Sequence, residues 1–280
     1  MFLFRNRCLC VFVCVCLCVF VCKQINTIDI FVLCPNCYEY ESVKSGLKNK
    51  YKETKNFFIT RFNKFTHCFF LIKNKKIALI QCGQRYGEIL HFMSILEYKN
   101  KKNYIILFGI CGANKDLEVG TIFFTKKYTV FKNITLGKEP RRHQKEAFVF
   151  NNFYFSEKTS YKRPLVCEFI TNNFICCFEK NFNCAIGKNI CTDVFINDYD
   201  FCNKTNKNKN KNVCFNTEDG FIMELLQQKY NSKKFFPVRV VSDHAGMFTH
   251  EIDVNGKQKA CDVLKKISIP IVDYFVELIY

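Results

Sequence analysis

The sequence has few acidic residues and lacks the motifs that would give its positive charge a specific partner. Asp and Glu number 25 against 42 Lys and Arg, so the formal net charge is +17. No DNA- or RNA-reading motif accompanies this excess, and the lysines lie in separate loop clusters. The charge therefore indicates a solvated basic surface with weak attraction for anionic substrates, and no nucleic acid is expected as a partner.

Recognisable ligand patterns for a metal are also missing. The five histidines show no ligand spacing, and Cys34 and Cys37 form a single CxxC without a second pair. We therefore predict no metal and no cofactor. Beyond residue 22 the cysteines are scattered through apolar runs, as is typical of free, buried thiols in a reducing compartment. This pattern favours a cytoplasmic protein.

The first 22 residues contain an apolar run that is too short for a typical transmembrane helix. Arg5 and Arg7 precede the run Cys8–Cys22, an arrangement that resembles a signal peptide and would make the protein secreted or membrane-anchored. Alternating Cys and Val is also what a translated TG dinucleotide repeat would produce. In either case residues 1–25 form a leader or low-complexity segment outside the folded domain, which we expect at 26–280.

Short apolar strands alternate with helical patterns over the rest of the chain. Strands are predicted at 28–33, 103–113 and 236–243, and a helix at 87–98, where Ile, Phe, Met and Leu recur at helical spacing. This alternation predicts a three-layer α/β domain. The C-terminal segment 260–280 predicts one or two closing helices, broken near Pro270.

Two further features limit the possible architecture. No internal repeat is visible, which argues against a solenoid. Residues 203–212 read NKTNKNKNKN and contain no apolar side chain, so they predict a disordered surface insert.

The predicted strand at 236–243 contains unusual polar residues. Arg239 lies inside an apolar run, where an arginine is unfavourable unless it is paired. Ser242 and Asp243 end the strand, at a position from which a carboxylate often points into a cleft. Uninterrupted alternation would place Arg239 and Asp243 on one face.

Four segments in order, together with this strand, suggest a family. They are PNCYEYESVKSGL, LFGICGANKDLEVG, CTDVFIND and FNTEDGFIMELL, followed by FPVRVVSDHAG. Over 26–280 the chain resembles the nucleoside phosphorylase and nucleosidase superfamily, especially the branch of methylthioadenosine/S-adenosylhomocysteine nucleosidases. The resemblance implies a three-layer α/β sandwich with a central mixed, partly barrel-like sheet flanked by helices.

The resemblance also implies hydrolysis of the N-glycosidic bond of a purine nucleoside, such as 5′-methylthioadenosine or S-adenosylhomocysteine. Asp243 matches the general acid that protonates N7 of the leaving purine. Glu39 matches the glutamate that activates the attacking water, with Glu41 as the alternative. Arg239 matches the arginine that holds this water, and we expect Glu39 and Glu218 to be its partners.

Substrate-binding positions follow in the same way. Glu218 matches the glutamate that binds the ribose hydroxyls, and Thr217 stands where the family usually has Met. Phe195 and Ile196 match the pair that contacts the purine. The remaining positions are the glycine-turn residues Gly109 and Gly112, and Ser242. Because the family often forms dimers or hexamers, the resemblance also implies a homo-oligomer.

Departures from the family pattern leave alternatives open. The run Leu107-Phe108-Gly109-Ile110 lacks the arginine and serine with which phosphorylases of the family often bind phosphate, which argues against an ordinary phosphorylase. A purine nucleoside phosphorylase could still hold phosphate through Arg85. A nucleoside-binding protein with weakened catalysis is the third possibility. Taken singly, Asp243 could be a helix N-cap, Arg239 part of a structural ion pair, and the other candidates core or surface residues.

Overall fold

The computed structural model describes most of the chain outside its N-terminus. The expected leader, residues 203–211 of the expected insert, and the candidates Arg85, Phe195 and Ile196 lie outside the described residues. The described ranges are 28–54, 65–84, 86–97, 103–136, 153–162, 165–193, 212–229, 234–245 and 250–279.

These ranges contain nine strands and five helices. The strands are β1 (Ile30–Cys34), β2 (His67–Ile72), β3 (Lys75–Gln81), β4 (Tyr104–Ala113), β5 (Ile122–Leu136), β6 (Phe153–Lys162), β7 (Cys184–Thr192), β8 (Val213–Asn216) and β9 (Phe235–His244). The helices are α1 (Cys37–Lys48), α2 (Tyr86–Glu97), α3 (Leu165–Phe178), α4 (Asp219–Lys229) and α5 (His250–Leu278).

All nine strands belong to one mixed sheet. Its order is β2-β3-β1-β4-β8-β7-β5-β6, and β9 pairs with both β4 and β5. The β4–β9 pair is parallel, whereas the β5–β9 pair is antiparallel. These two pairings close β4, β8, β7, β5 and β9 into a ring, so the predicted partly barrel-like sheet is confirmed.

Helices cover both faces of the sheet. One apolar core lies between the sheet and helices α1, α3 and α5, with Val43, Phe174 and Leu264 among its buried side chains. A second core packs α2 and α4 against the opposite face, with Phe92 and Met223 buried. This confirms the predicted three-layer α/β architecture. None of the helices described here is long and apolar enough to cross a membrane.

The predicted break near Pro270 is wrong, because α5 continues through the proline to Leu278. Pro270 is exposed, so water can satisfy the carbonyl that loses its helical partner. Ile267 and Ile271, on either side of it, are fully buried in the core. Packing of both halves of the helix therefore outweighs the local preference of proline.

Helix α1 crosses α5 at Gly46. A Cβ atom at this position would overlap the carbonyl oxygen of Lys265 and the hydroxyl of Ser268. The absent side chain thus allows the two helix backbones to approach closely, and this contact fixes α1, which carries Glu39.

We expect Gly46→Ala to destabilise the protein by about 1–3 kcal/mol, since overpacking outweighs the gain in helix propensity. Gly87→Ala is the matched control: this helical glycine has open space around it and should be neutral or stabilising by up to about 1 kcal/mol. Urea denaturation of both variants measures the difference. Equal effects would contradict the close contact between α1 and α5.

Candidate active site

Glu39 is held in place by the start of helix α1. Asn36 caps the helix, its side chain accepting a 3.0 Å hydrogen bond from the amide of Glu39. In return, the Oε2 atom of Glu39 accepts a 2.9 Å bond from the amide of Asn36, which completes a capping box. The Oε1 atom accepts a 2.7 Å bond from the amide of Ile110 in β4. Both carboxylate oxygens are thus oriented by backbone donors.

The environment of Glu39 favours its protonated form. Only 1% of the residue is exposed. Burial raises the pKa of Glu39 to about 8, and the neighbouring Glu218 carboxylate adds to this, while Arg239 and the two backbone hydrogen bonds oppose it. A carboxyl group with a pKa near neutrality can release and accept a proton in the physiological range.

Arg239 lies at the centre of the site and is 1% exposed. Its Nε donates to Asp219 Oδ1 at 3.0 Å, and its NH2 group donates to Glu218 Oε2 at 2.8 Å and also to Asp219. Its NH1 group donates to the carbonyl of Ile110 at 2.9 Å. Burial lowers the pKa of Arg239, but the Asp219 and Glu218 carboxylates outweigh burial and raise it, so the guanidinium stays charged.

The expected partners of Arg239 are therefore partly correct. Glu218 pairs with it directly. The direct pair with Glu39 is wrong: among the described residues the second ion pair goes to Asp219. Glu39 instead accepts from the amide of Ile110, the residue whose carbonyl accepts from Arg239, so the two side chains meet the same backbone segment without a direct ion pair.

Asp219 was not identified from the sequence. It is fully buried, and its Oδ2 accepts a 2.7 Å bond from Asn189. The side chain of Asn216 accepts bonds of 3.1 Å from the amides of Glu218 and Asp219, which orients the start of α4. The sequence feature that could have identified Asp219 is its position directly after Glu218 and at the start of a predicted helix.

Glu218 has both carboxylate oxygens engaged. Oε2 binds Arg239, and Oε1 accepts a hydrogen bond from the hydroxyl of Thr217. Burial raises the pKa of Glu218, with Asp219 contributing, while Arg239 and Thr217 lower it. The hydroxyl of Thr217 also lies 3.4 Å from the carbonyl of Gln84, so it can change acceptor.

The predicted glycine turn is wrong, because Gly109 and Gly112 both lie inside β4 and pair with β9. The two glycines make room for acidic and basic side chains. A Cβ atom at Gly109 would overlap the guanidinium of Arg239 and lie 3.2 Å from Glu39 Oε1. At Gly112 it would lie 2.9 Å from Asp243 Oδ1. These close approaches are sufficient to explain why both positions need glycine, and no contact with a substrate has to be assumed.

Asp243 ends β9 beside Gly112 and is 8% exposed. Its Oδ2 lies 2.7 Å from the hydroxyl of Ser242, which is also 3.2 Å from the carbonyl of Cys111. The expected uninterrupted alternation is wrong here. Val241 pairs with Cys111 but Asp243 pairs with Gly112, so Ser242 is an extra residue in a β-bulge. Asp243 and Arg239 therefore do not share a face by simple alternation.

The structure thus groups Glu39, Arg239 and Glu218 tightly, with Asp243 at the end of the same strand as Arg239. Glu41, the alternative to Glu39, is exposed on α1 and lies apart from the group. Over the described ranges, no three His, Cys, Asp or Glu side chains are placed to hold a metal ion. The acidic residues instead surround a guanidinium.

Solved structures share this arrangement of strands and helices. The 5′-methylthioadenosine/S-adenosylhomocysteine nucleosidase of Helicobacter pylori matches with a TM-score of 0.64 and 12% identity, over 89% of this chain and 99% of that one. Futalosine hydrolase of the same organism matches with a TM-score of 0.65 and 12% identity, over 89% of this chain and 98% of that one. The 5′-methylthioadenosine/S-adenosylhomocysteine nucleosidase of Campylobacter jejuni matches with a TM-score of 0.57 and 18% identity, over 85% of this chain and 97% of that one.

The chain has the fold of these nucleosidases and of futalosine hydrolase. The resemblance inferred from the sequence is confirmed at this level. No protein-family model matches the sequence, and no curated protein matches it significantly. The similarity therefore lies in the arrangement of the backbone, while the residues of the site carry the functional argument.

The pKa of Glu39 predicts a pH-dependent stability. The folded chain keeps this proton up to about pH 8, whereas an unfolded chain releases it near 4.5. The resulting stabilisation is complete below pH 4.5 and is lost by about pH 8. Between these values the free energy of unfolding of the wild type, relative to Glu39→Gln, should fall by up to roughly 1.4 kcal/mol per pH unit.

Urea denaturation between pH 5 and 9 measures this difference. Glu41→Gln is the matched control, because this exposed glutamate lies on the same helix and should retain the wild-type profile. Parallel profiles for the wild type and Glu39→Gln would show that Glu39 ionises normally.

Proposed function

We propose that this chain hydrolyses the N-glycosidic bond of a purine nucleoside, with 5′-thio-substituted adenosines such as methylthioadenosine or S-adenosylhomocysteine as the preferred class. The observation that carries the proposal is the buried Arg239, which bonds Glu218 directly and is linked to Glu39 through Ile110, whose carbonyl accepts from Arg239 and whose amide donates to Glu39. A nucleosidase of Helicobacter pylori holds 5′-methylthioadenosine in its active site, which supports this choice of substrate.

Glu39 acts as the general base in this proposal. Water attacks C1′ of the sugar, and Glu39 accepts its proton as the new C–O bond forms. Arg239 has five N–H donors, and its described contacts leave one hydrogen of NH1 for that water. The C1′–N9 bond breaks at the same time, and its electron pair goes to the purine.

Glu218 and Asp243 act on the two parts of the substrate that separate. Glu218 binds the ribose hydroxyls, and its negative charge stabilises the positive charge that develops on the sugar. Asp243 donates a proton to N7, so the purine leaves as a neutral base. Ser242, 2.7 Å from Asp243 Oδ2, orients the carboxyl group of this acid.

Hydrolysis is favoured over phosphorolysis by the charge of the site. Three carboxyl groups, of Glu39, Glu218 and Asp219, lie around one guanidinium, and most donors of this guanidinium already bind protein oxygens. A phosphate dianion would meet a surplus of negative charge there. Phe108 and Ile110 beside Gly109 supply no side-chain donor to compensate.

The oligomeric state and the cellular location of the protein are also proposed here. We propose a homo-oligomer of 26–280 domains in the cytoplasm, with residues 1–25 dispensable for folding. The cysteines whose side chains the structure describes are free, in keeping with a reducing compartment.

The purified protein should release adenine from methylthioadenosine in phosphate-free buffer. Glu39→Gln should reduce kcat by about 10²-fold or more, since it removes the base. Because Glu39 must be ionised, kcat/KM should fall as the pH drops below about 8, which forms the acidic limb of the pH profile. Adenine release is followed by chromatography, and Glu41→Gln is the control. Release that requires phosphate would establish phosphorolysis instead.

Asp243→Asn should act selectively on the leaving group. Asn still binds N7 but cannot donate the proton, so turnover of adenosine should fall by about 10²-fold or more. A nucleoside with a nitrophenolate leaving group, which needs no protonation, should be little affected.

Glu218→Gln is the comparison variant, because it weakens sugar stabilisation and should slow both substrates alike. Steady-state rates for the two variants on the two substrates measure the contrast. Equal losses of Asp243→Asn on both substrates would show that Asp243 is structural.

A further inference from the structure

Asp219 is the one acid of the cluster that the proposed mechanism leaves without a role. It is fully buried on the first turn of α4. Its Oδ1 accepts from both Nε and NH2 of Arg239, and its Oδ2 accepts from Asn189 at 2.7 Å. Both oxygens are therefore engaged inside the protein, which argues against direct contact with a substrate.

A chain of amides fixes the orientation of this carboxylate. Asn189 lies within 3.3 Å of the hydroxyl of Thr125, and its Oδ1 accepts a 3.0 Å bond from Asn216. Asn216 in turn accepts from the amide of Asp219. Strands β5, β7 and β8 thus all contribute to holding one side chain at the start of α4.

Because the Asp219 carboxylate is fixed, it also fixes the orientation of the Arg239 guanidinium, which is planar and binds partners along its edges. Asp219 occupies the edge formed by Nε and NH2, and the carbonyl of Ile110 takes one hydrogen of NH1. Among the described contacts these leave one hydrogen of NH1 unused, and a side chain at Gly109 would meet both NH1 and Glu39 Oε1, so the two atoms approach the same point of the backbone.

We propose that Asp219 is a positioning residue, which orients Arg239 so that NH1 and Glu39 hold the attacking water between them. This inference rests on the proposed hydrolysis and adds a residue to it. Without Asp219, Arg239 would keep Glu218 and turn towards Glu39, forming a direct ion pair in the place of the water.

Titratable and charged groups surround Glu39 on the elements packed around it. Arg239 on β9 lowers its pKa, and Glu218, directly before α4, raises it. Glu39 in turn raises the pKa of three nearby thiols, those of Cys34 on β1, Cys82 after β3 and Cys261 on α5. The thiols of Cys34 and Cys82 stay neutral, because burial raises the pKa of each. Arg239 is therefore the cation through which a change at Asp219 reaches Glu39.

The test exchanges the two side chains that face each other. In Asp219→Asn, the side-chain oxygen of the new Asn is needed as the acceptor for Arg239. Its NH2 group then faces the NH2 group of Asn189, so two donors meet where a hydrogen bond stood before. The double variant Asn189→Asp with Asp219→Asn restores complementary hydrogen bonds with the carboxylate and amide exchanged. Asp262→Asn, the same substitution at an exposed position of α5, is the control.

With methylthioadenosine, Asp219→Asn should lower kcat by about tenfold or more while KM changes less than about threefold, because orientation rather than binding is lost. The exchanged pair should recover kcat to within about threefold of the wild type. Wild-type kcat in Asp219→Asn would overturn the proposal. So would an exchanged pair that recovers the melting temperature but not kcat.

A second measurement does not depend on activity. In a ¹³C NMR titration of Cδ-labelled glutamate, with Glu39→Gln to assign the signal, Asp219→Asn should lower the pKa of Glu39, and the exchanged pair should shift it back. An unchanged pKa in Asp219→Asn would overturn the proposal. If the wild type releases no base, the proposed hydrolysis fails, and this titration still decides whether Asp219 controls Arg239.

Discussion

The burial of one positive charge, that of Arg239, determines how the surrounding elements are built. A guanidinium with 1% exposure requires partners for its charge and its donors, and removing a partner leaves a costly unpaired charge. The start of α4 supplies two carboxylates, β4 supplies a carbonyl, and Gly109 leaves out the side chain that would collide. Because β9 pairs with both β4 and β5, the arginine lies where the sheet closes on itself.

The same interaction explains the chemistry assigned to the site. Full ionisation of Glu39, Glu218 and Asp219 would leave two surplus negative charges beside Arg239. Burial and the repulsion between neighbouring carboxylates raise the pKa values of Glu39 and Glu218, which reduces this negative charge. In the proposed mechanism this region would therefore favour a sugar that becomes positively charged over an anion such as phosphate. It also gives Glu39 a pKa suited to a base near neutral pH.

The sequence was sufficient for those features that depend on local patterns. Alternating apolar segments predicted the layers, and Arg239 inside an apolar run predicted a buried pair. The bulge at Ser242 could not be predicted, because it depends on the register between β9 and β4. Asp219 was missed because its partner Asn189 lies 30 residues away and reaches it only in the folded sheet. The predicted helix break at Pro270 was wrong because the exposure of the proline and the packing of the helix around it decide whether the helix continues, and local sequence patterns show neither.

The binding of a cationic nucleoside analogue tests most directly whether this buried cluster stabilises positive charge on the sugar. The probe is an adenine analogue whose sugar is replaced by a protonated pyrrolidine, compared by calorimetry with its uncharged cyclopentane counterpart. We expect the cationic analogue to bind at least about 10²-fold more tightly, and Glu218→Gln to remove most of this preference. Equal affinities for the two analogues would contradict this expectation.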